Sequence, residues 1–241
     1  MLECRTSLSD IPAAAVIGCT DCAVRGDALC GALDTSQDLE AMHRLGRRLQ
    51  VPKGQTVVLE GDESLVVGNV IEGLLKLSVV SADGVEQIVG IAYPADFIGR
   101  PFGPSSGHSV TALVDSTLCV FPRRAFDAFT EEHPLLAQAL LRRTLDDLDR
   151  ARSWMVLLAR KSAPARVASL LLDMNRRIAR PGNRVVRLPL SRQQMADLLG
   201  LVIETVSRSM TSFKAAGFID LPRGRLLEVR DLEGLERIAS G

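Results

Sequence analysis

The sequence predicts an α+β chain in which an antiparallel β-domain precedes a mainly helical region. Two observations lead to this class. Short β-branched runs alternate with glycine-containing turns from Val51 to about Val120, and helical spacing of apolar residues replaces them from Arg124 onwards. Hydrophobic residues make up 46% of the 241 residues but aromatic residues only 4%, so we expect aliphatic cores.

The first residues give little sign of regular structure. Residues 1–35 are dominated by small residues, glycine and cysteine, and we expect a loop that a ligand must order. The next segment, Asp38–Leu49, has apolar residues at Leu39, Met42 and Leu45 and a basic end, which predicts a helix.

The β-region predicts an antiparallel sandwich or barrel, because several short strands recur with turns between them. Asp83-Gly84, between two of these runs, predicts a tight hairpin. The expected strands are Gln55–Leu59, Val66–Ile71, Leu74–Val80 and Gln87–Ala92.

A long helix is expected after the break at His133-Pro134, ending near Arg160. Its apolar stripe is narrow and has charged residues on both sides, which favours contact with a partner helix in a homodimer. Packing onto the chain's own β-domain is the alternative. The apolar positions are Leu141, Leu145, Leu148, Met155 and Leu158.

The C-terminal region has the pattern of a helix-turn-helix. Ser191 to Gln194 form a capping box that predicts the start of a helix. Ala196, Gly200 and Val206 then provide a small residue where the helices approach, a glycine at the corner and an aliphatic side chain between them. Residues 218–229, with a bend at 222–225, predict a β-wing.

The second helix of this motif has two different faces. We expect Val202, Val206, Met210 and Phe213 to be buried. The opposite face has side chains that can read base edges, namely Glu204, Ser207, Arg208 and Thr211. Hydroxyl and ammonium groups that could contact phosphates belong to Ser191, Thr205 and Lys214.

The charge distribution agrees with this interpretation. Residues 160–241 have 15 Lys or Arg against 8 Asp or Glu, a net +7, while residues 1–159 have 14 against 21, a net −7. A basic C-terminal third together with a helix-turn-helix predicts binding to double-stranded DNA.

Four cysteines are candidates for an inorganic site. Cys19, Cys22 and Cys30 form a C-x2-C-x7-C pattern, and Cys119 lies far downstream. With no signal peptide or membrane-spanning run, we expect a cytoplasmic protein with reduced thiols. Four thiolates can hold zinc or an iron–sulfur cluster, and a dithiol–disulfide switch is a further alternative.

The whole chain resembles the CRP/FNR family of bacterial transcription regulators. The stretch beginning "VPKGQTVVLEGD" resembles the family's jelly-roll, cyclic-nucleotide-binding-like sensor domain, and "LSRQQMADLLGLVIETVSRSM" resembles its helix-turn-helix. The resemblance implies a cluster-binding segment over 1–35, a β-roll over 36–128, a dimerisation helix over 129–160 and a winged helix-turn-helix over 161–241.

Two features resemble the FNR branch of this family. Its members bind a [4Fe–4S] cluster through four cysteines that match Cys19, Cys22, Cys30 and Cys119, and Cys4 has no counterpart among the ligands. The Glu-x-x-Ser-Arg pattern matches Glu204, Ser207 and Arg208, which implies a palindromic operator with TTGAT half-sites.

The resemblance implies an oxygen sensor rather than an enzyme. The cluster would promote dimerisation and DNA binding, oxygen would destroy it, and RNA polymerase is an expected partner. Ala151 stands where the family has an Asp that keeps the cluster-free form monomeric, so some dimer is expected in air. An iron–sulfur enzyme or electron carrier is disfavoured, since neither a substrate site nor the ferredoxin cysteine run is present.

A cyclic nucleotide is not expected as the signal. In the stretch "FIGRPFGPSSGHS", Arg100 stands where the cyclic-AMP-binding branch has Glu, and His108 stands where it has Arg. The pocket therefore lacks the arginine that would bind the phosphate and the carboxylate that would bind the ribose.

Overall fold

The computed structural model describes residues 19–178, 185–222 and 226–241. Two compact units are present, the first ending at Asp147 and the second spanning Leu148–Gly241. The helices are α1 Ser36–Leu45, α2 Arg123–Glu132, α3 Pro134–Arg160, α4 Ala163–Ile178, α5 Arg192–Leu199, α6 Ile203–Ala215 and α7 Leu232–Ser240. No helix in the described ranges combines the length and hydropathy that a membrane span requires.

The first unit contains two four-stranded antiparallel sheets, which confirms the expected β-domain. Their strand orders are β1-β8-β3-β6 and β2-β7-β4-β5. Aliphatic side chains fill the core between them, including the fully buried Val70, Leu75, Val110 and Leu118. The strands are β1 Arg47–Val51, β2 Thr56–Val58, β3 Val66–Glu72, β4 Leu75–Val80, β5 Glu86–Ala92, β6 Phe97–Ile98, β7 Ser109–Ala112 and β8 Ser116–Pro122.

The predicted hairpin is present between β4 and β5. The amide of Ser81 donates to the carbonyl of Val85 over 3.0 Å, and the amide of Gly84 donates to that of Ser81 over 2.9 Å. Gly84 has a φ of 81°, a backbone conformation that glycine adopts without steric cost.

The prediction of a single helix over Asp38–Leu49 is wrong at its C-terminal end. Helix α1 ends at Leu45, and Arg47 begins strand β1, which pairs with β8. Gly46 makes this change of direction possible, because a Cβ there would lie only 2.9 Å from the ring of Phe121. Leu45 and Leu49 are four residues apart, which is a helical spacing. Residues 47–51 nevertheless form a strand, because they pair with β8.

The segment before α1 is more regular than the expected loop. Two 3-10 turns, Cys19–Asp21 and Leu29–Ala32, form part of it, and Leu29 and Leu33 are buried. They pack into one apolar cluster with Met42 of α1. Burial of apolar side chains therefore orders the described part of this segment, while residues 1–18, including Cys4, lie outside the described residues.

The second unit is mainly helical and has a small sheet. Helix α4 buries one face, which includes Val167, Leu170, Leu171 and Met174. Strands β9 Val185–Arg187, β10 Ile219–Asp220 and β11 Leu226–Val229 form an antiparallel sheet in the order β10-β11-β9. Pairing of β10 with β11 agrees with the predicted wing, although residues 223–225 of its bend lie outside the described residues.

Candidate nucleic-acid interface and cysteine cluster

Helix α5 begins with the predicted capping box. The Ser191 hydroxyl accepts a hydrogen bond from the amide of Gln194 over 3.1 Å, and the Gln194 side chain accepts one from the amide of Ser191 over 2.9 Å. The cap uses the Ser191 oxygen as an acceptor, so its hydroxyl proton remains available to a phosphate.

The corner between α5 and α6 has the geometry that the sequence pattern predicts. Gly200 adopts the left-handed conformation, with φ 61° and ψ 42°, while Ala196 and Val206 are fully buried. The guanidinium of Arg166 donates to the carbonyl of Leu199 over 3.1 Å, which satisfies one backbone acceptor at the end of α5.

The predicted buried face of α6 is correct except at its first residue. Val206, Met210 and Phe213 are buried, whereas Val202 is 61% exposed. Val202 is the N-cap of α6 and has an extended backbone, with φ −88° and ψ 151°. Its side chain therefore does not follow the helical face that the spacing suggested.

The opposite face of α6 is open to solvent. Glu204, Arg208 and Thr211 are exposed, and Ser207 is half-buried. Arg208 donates to the hydroxyl of half-buried Thr205 over 3.2 Å, which orients the guanidinium along the helix. Exposed Lys214 forms an ion pair with Asp220 at 3.5 Å. A phosphate would therefore have to compete with the Asp220 carboxylate for the ammonium group of Lys214.

The apolar stripe of α3 is uncovered in the single chain. Leu141 is 60% exposed, Leu145 52%, Leu148 43% and Met155 69%, and Ala151 is also exposed. Solvent exposure of so many large apolar side chains along one helix face is unfavourable, which favours a partner surface.

Three of the four candidate cysteines belong to one apolar cluster or pack against it. Cys30 is buried within it, and Cys19 and Cys119 pack against it from the N-terminal segment and from β8. Cys119 pairs across the sheet with Arg48 of β1, and its Sγ would be 3.4 Å from a Cβ at Gly46. All four cysteines, including the half-buried Cys22, are free thiols.

Burial and the neighbouring cysteines raise the pKa of three of the four thiols. Burial raises the pKa of Cys30 to about 11, and negative charge on Cys22 and Cys19 adds to this effect. Burial likewise raises the pKa of Cys119 to about 12, with added contributions from Cys19, Cys30 and Cys22. The pKa of Cys19 is also raised, first by burial and then by Cys22.

Two arginines oppose this effect. The positive charge of Arg48 lowers the pKa of Cys19 and of Cys119, and Arg25 does the same for Cys19 and Cys30. Burial is nevertheless the larger contribution, so these three thiols are protonated at neutral pH. Several thiolates would become stable here only with a bound cationic group.

The donor chemistry of this cluster fits a group that takes four thiolates, either zinc or a [4Fe–4S] cluster. Within residues 19–178, 185–222 and 226–241, however, no three His, Cys, Asp or Glu side chains are already spaced to hold a metal ion. Binding of such a group would therefore have to draw the thiols closer together. Two of them lie in the short N-terminal turns, namely Cys19 and Cys30, and Cys22 directly follows the first turn.

His43 is a neighbour of the cysteines that sequence reasoning missed. Its Nδ1 lies 3.3 Å from the Sγ of Cys19. The three histidines are scattered in sequence, a pattern typical of surface or structural residues. Only the packing of α1 against the first 3-10 turn brings His43 to a cysteine.

The region that corresponds to a nucleotide pocket contains its own charged side chain. Arg100 lies so close to Gly103 that a Cβ there would be 2.7 Å from Nε of Arg100. His108 is half-buried, and its pKa is lowered by burial and also by Arg100, while Glu60 opposes the shift. A neutral imidazole is a weaker phosphate ligand than arginine.

Comparison with known protein families gives two matches. The Crp-like helix-turn-helix domain matches residues 165–238, and the cyclic nucleotide-binding domain matches residues 48–133. The first range contains α5 and α6, and the second contains both sheets of the β-domain except Arg47, the first residue of β1.

Similar proteins cover almost the whole chain. A probable transcriptional activator from Rhizobium leguminosarum bv. viciae is 40% identical over 93% of this chain and 94% of its own length. The transcriptional activator protein FnrL from Cereibacter sphaeroides is 39% identical, with 90% of each chain covered. The solved structure of FixK2 from Bradyrhizobium japonicum has a TM-score of 0.77 and 28% identity, and covers 81% of this chain and 98% of FixK2.

Proposed function

This chain belongs to the CRP/FNR family of transcription regulators, and from that premise we propose that it is an oxygen-responsive regulator controlled by a [4Fe–4S] cluster. The proposed ligands are Cys19, Cys22, Cys30 and Cys119. The proposed active form is a homodimer that binds a palindrome with TTGAT half-sites and acts, with RNA polymerase, as an activator. The similar proteins named as transcriptional activators support this last assignment.

The observation that supports the proposal most is that free thiols from two distant parts of the chain lie at one apolar cluster. Cys30 lies in the N-terminal segment and Cys119 in β8, yet both belong to the surroundings of one apolar cluster. Four thiolates are the ligand set of a [4Fe–4S] cluster, which oxygen can destroy. Because the proposed ligands lie in both the N-terminal segment and the β-domain, loss of the cluster would affect the contact between these two parts.

The residues of α6 support the proposed DNA contact. Exposed Glu204 can accept from cytosine and exposed Arg208 can donate twice to guanine. The Thr205 hydroxyl holds Arg208 before DNA arrives, which reduces the side-chain entropy lost on binding. Two such helices in a dimer would enter successive major grooves, about one helical turn apart.

The exposed stripe of α3 supports the homodimer. The two copies would bury Leu141, Leu145, Leu148 and Met155 against each other, with small Ala151 allowing close approach. In each chain Asp149 forms an ion pair with Arg152 at 3.1 Å, so part of the acidic charge beside the stripe is already neutralised. A dimer that depends on this narrow stripe would be weak enough to respond to a ligand.

Anaerobic purification provides the direct test. We expect about four iron and four sulfide per chain and a broad visible absorbance that bleaches in air. Cys119→Ala should lose the iron, whereas Cys4→Ala is the matched control and should retain it. A colourless protein with one zinc per chain, or iron retention in Cys119→Ala, would contradict the proposal.

A further inference from the structure

Arg143 links the dimer-forming helix to the cysteine-bearing segment. Its Nη1 donates to the backbone carbonyl of Asp27 over 3.3 Å. Asp27 lies between Cys22 and Cys30 in the chain, so this bond joins α3 directly to the segment that would bind the cluster. The two groups are 116 residues apart in sequence.

The same guanidinium is held firmly on the β-domain. Its Nη2 donates to the carbonyl of Ala95 over 2.8 Å and to the carboxylate of Asp96 over 2.6 Å. The pair is only partly accessible, with 24% of the Arg143 side chain and 10% of the Asp96 side chain exposed. A charged hydrogen bond in such surroundings is stronger and better ordered than one in water.

The acceptors belong to a tight turn. The amide of Tyr93 donates to the Asp96 carboxylate over 2.9 Å, and the amide of Asp96 donates to the carbonyl of Tyr93, also over 2.9 Å. Ala95 has a φ of 72°, which is rare for a residue with a side chain. Arg143 therefore docks on a backbone conformation that its neighbours hold in place.

Arg143 and the apolar stripe lie on opposite sides of α3. Arg143 is two residues from both Leu141 and Leu145, which corresponds to a rotation of about 200° around the helix. A contact that fixes Arg143 thus fixes which way the stripe faces. Within the described chain, Nε of Arg143 is buried without a hydrogen-bond partner, so the guanidinium is not fully satisfied in this arrangement.

We propose that Arg143 is the positioning residue that transmits the state of the 22–30 segment to the dimer-forming face of α3. Its two terminal nitrogens have different roles. Nη2 anchors the helix on the Ala95-Asp96 turn, and Nη1 donates a hydrogen bond to the Asp27 carbonyl of the cysteine-bearing segment. The inference rests on the proposed function, because it takes the cysteine segment as the input and the dimer as the output.

Arg143→Lys separates these two roles. A single ammonium can replace Nη2 at the turn, but it cannot also stand at the position of Nη1, so the fold is retained while the Asp27 contact is lost. Arg142→Lys is the matched control, because Arg142 is the exposed arginine next to it on the same helix. Arg143→Ala removes both contacts and serves as the more severe variant.

Two measurements on the full chain test the proposal. Sedimentation equilibrium, under argon and after iron removal by a chelator, gives the dimer Kd in each state. The Kd of the iron-free dimer divided by the Kd of the iron-loaded dimer should be smaller in Arg143→Lys than in the wild-type chain, by about tenfold or more, at unchanged iron content. The same ratio should not change in Arg142→Lys. Hydrogen exchange of iron-free protein should be faster over residues 22–30 in Arg143→Lys only.

Failure of the role proposed for Arg143 can be told apart from failure of the proposed function. An unchanged Kd ratio in iron-loaded Arg143→Lys overturns the role of Arg143, whether or not Arg143→Ala folds. If the wild-type chain binds no iron, the proposed function fails, and hydrogen exchange then decides alone. Equal exchange over residues 22–30 in Arg143→Lys and Arg142→Lys would overturn the inference, and faster exchange in Arg143→Lys would support the link.

Discussion

The cysteine thiols Cys30 and Cys119 are held in the protonated state by burial when no cation is bound. Burial raises the pKa of Cys119 from 9.0 to about 12 and that of Cys30 to about 11. Because the folded state then holds these protons more tightly than the unfolded state, their contribution to stability is complete below pH 9. It is lost as the pH rises from about 9 towards 12.

Alkylation of the reduced, metal-free protein tests this ionisation directly. Only the thiolate reacts, and at pH 8 a pKa of about 12 leaves roughly a thousandfold less thiolate than a pKa of 9.0. Because a more basic thiolate is also a better nucleophile, iodoacetamide should modify Cys119 on the order of a hundredfold more slowly in the folded protein than in urea. The rate should also rise nearly tenfold per pH unit between pH 8 and 10. Mass spectrometry of the peptides gives both rates, and equal rates in folded and unfolded protein would contradict the burial of this thiol.

Two residues of α6 should affect DNA binding in different ways. Arg208→Ala should cost about 1–3 kcal/mol on the preferred palindrome and relax selectivity at one base pair of each half-site. Lys214→Ala should weaken binding equally on all sequences and reduce the salt dependence by about one ion per contact. Fluorescence anisotropy over a range of salt concentrations and operator variants measures both effects.

The comparison between these two variants contains its own control. If Arg208→Ala weakens all sequences equally, its guanidinium contacts phosphate rather than a base. If Lys214→Ala leaves the salt slope unchanged, its ammonium stays with Asp220, with which it pairs at 3.5 Å in the free chain.

Some residues of the candidate sites could be predicted from the sequence, and at least one could not. Ala196, Gly200 and Val206 could be placed from spacing alone, because a helix-turn-helix corner requires a small residue, a left-handed glycine and a buried aliphatic. His43 could not, since its approach to Cys19 depends on how α1 packs against a non-helical turn.

At the scale of a whole element, helix α3 combines a buried start with an exposed apolar stripe along one face. Its start is anchored by buried Leu136, and the apolar stripe from Leu141 to Met155 is exposed on the single chain. A substitution within the stripe should therefore affect association far more than folding.

Leu148→Glu tests this separation. A carboxylate at the centre of the stripe would be buried without a partner in the dimer, so dimerisation and DNA binding should fall by at least about a hundredfold. Thermal unfolding should change little, because Leu148 is already 43% exposed in the single chain. Ser153→Glu, an exposed position on the opposite side of the helix, is the control, and equal loss in both variants would contradict the assigned stripe.

The elements themselves were largely predictable from the sequence. The turn at Asp83-Gly84, the break at His133-Pro134 and the cap at Ser191 each have a local physical cause, and all three elements that they define are present. Strand β1 was not predictable in this way, because Arg47–Val51 becomes a strand through pairing with distant β8. Non-local pairing of this kind leaves no local spacing signal.

At the scale of the whole molecule, two predictions from the sequence are confirmed, namely the family and an α+β chain with a β-roll and a helix-turn-helix. The link between the cysteines and α3 was not visible in the sequence, because Asp27 and Arg143 meet only in the folded first unit. The response to oxygen remains the proposal that connects these parts.

Titration of a TTGAT palindrome with one anaerobic preparation tests that proposal most directly. The affinity is measured under argon, after exposure to air, and after removal of iron by a chelator under argon. The account predicts tight binding in the first state and a loss of at least about tenfold in both others, together with bleaching of the visible absorbance. Binding that stays equally tight after the iron has been lost would contradict control by the cluster.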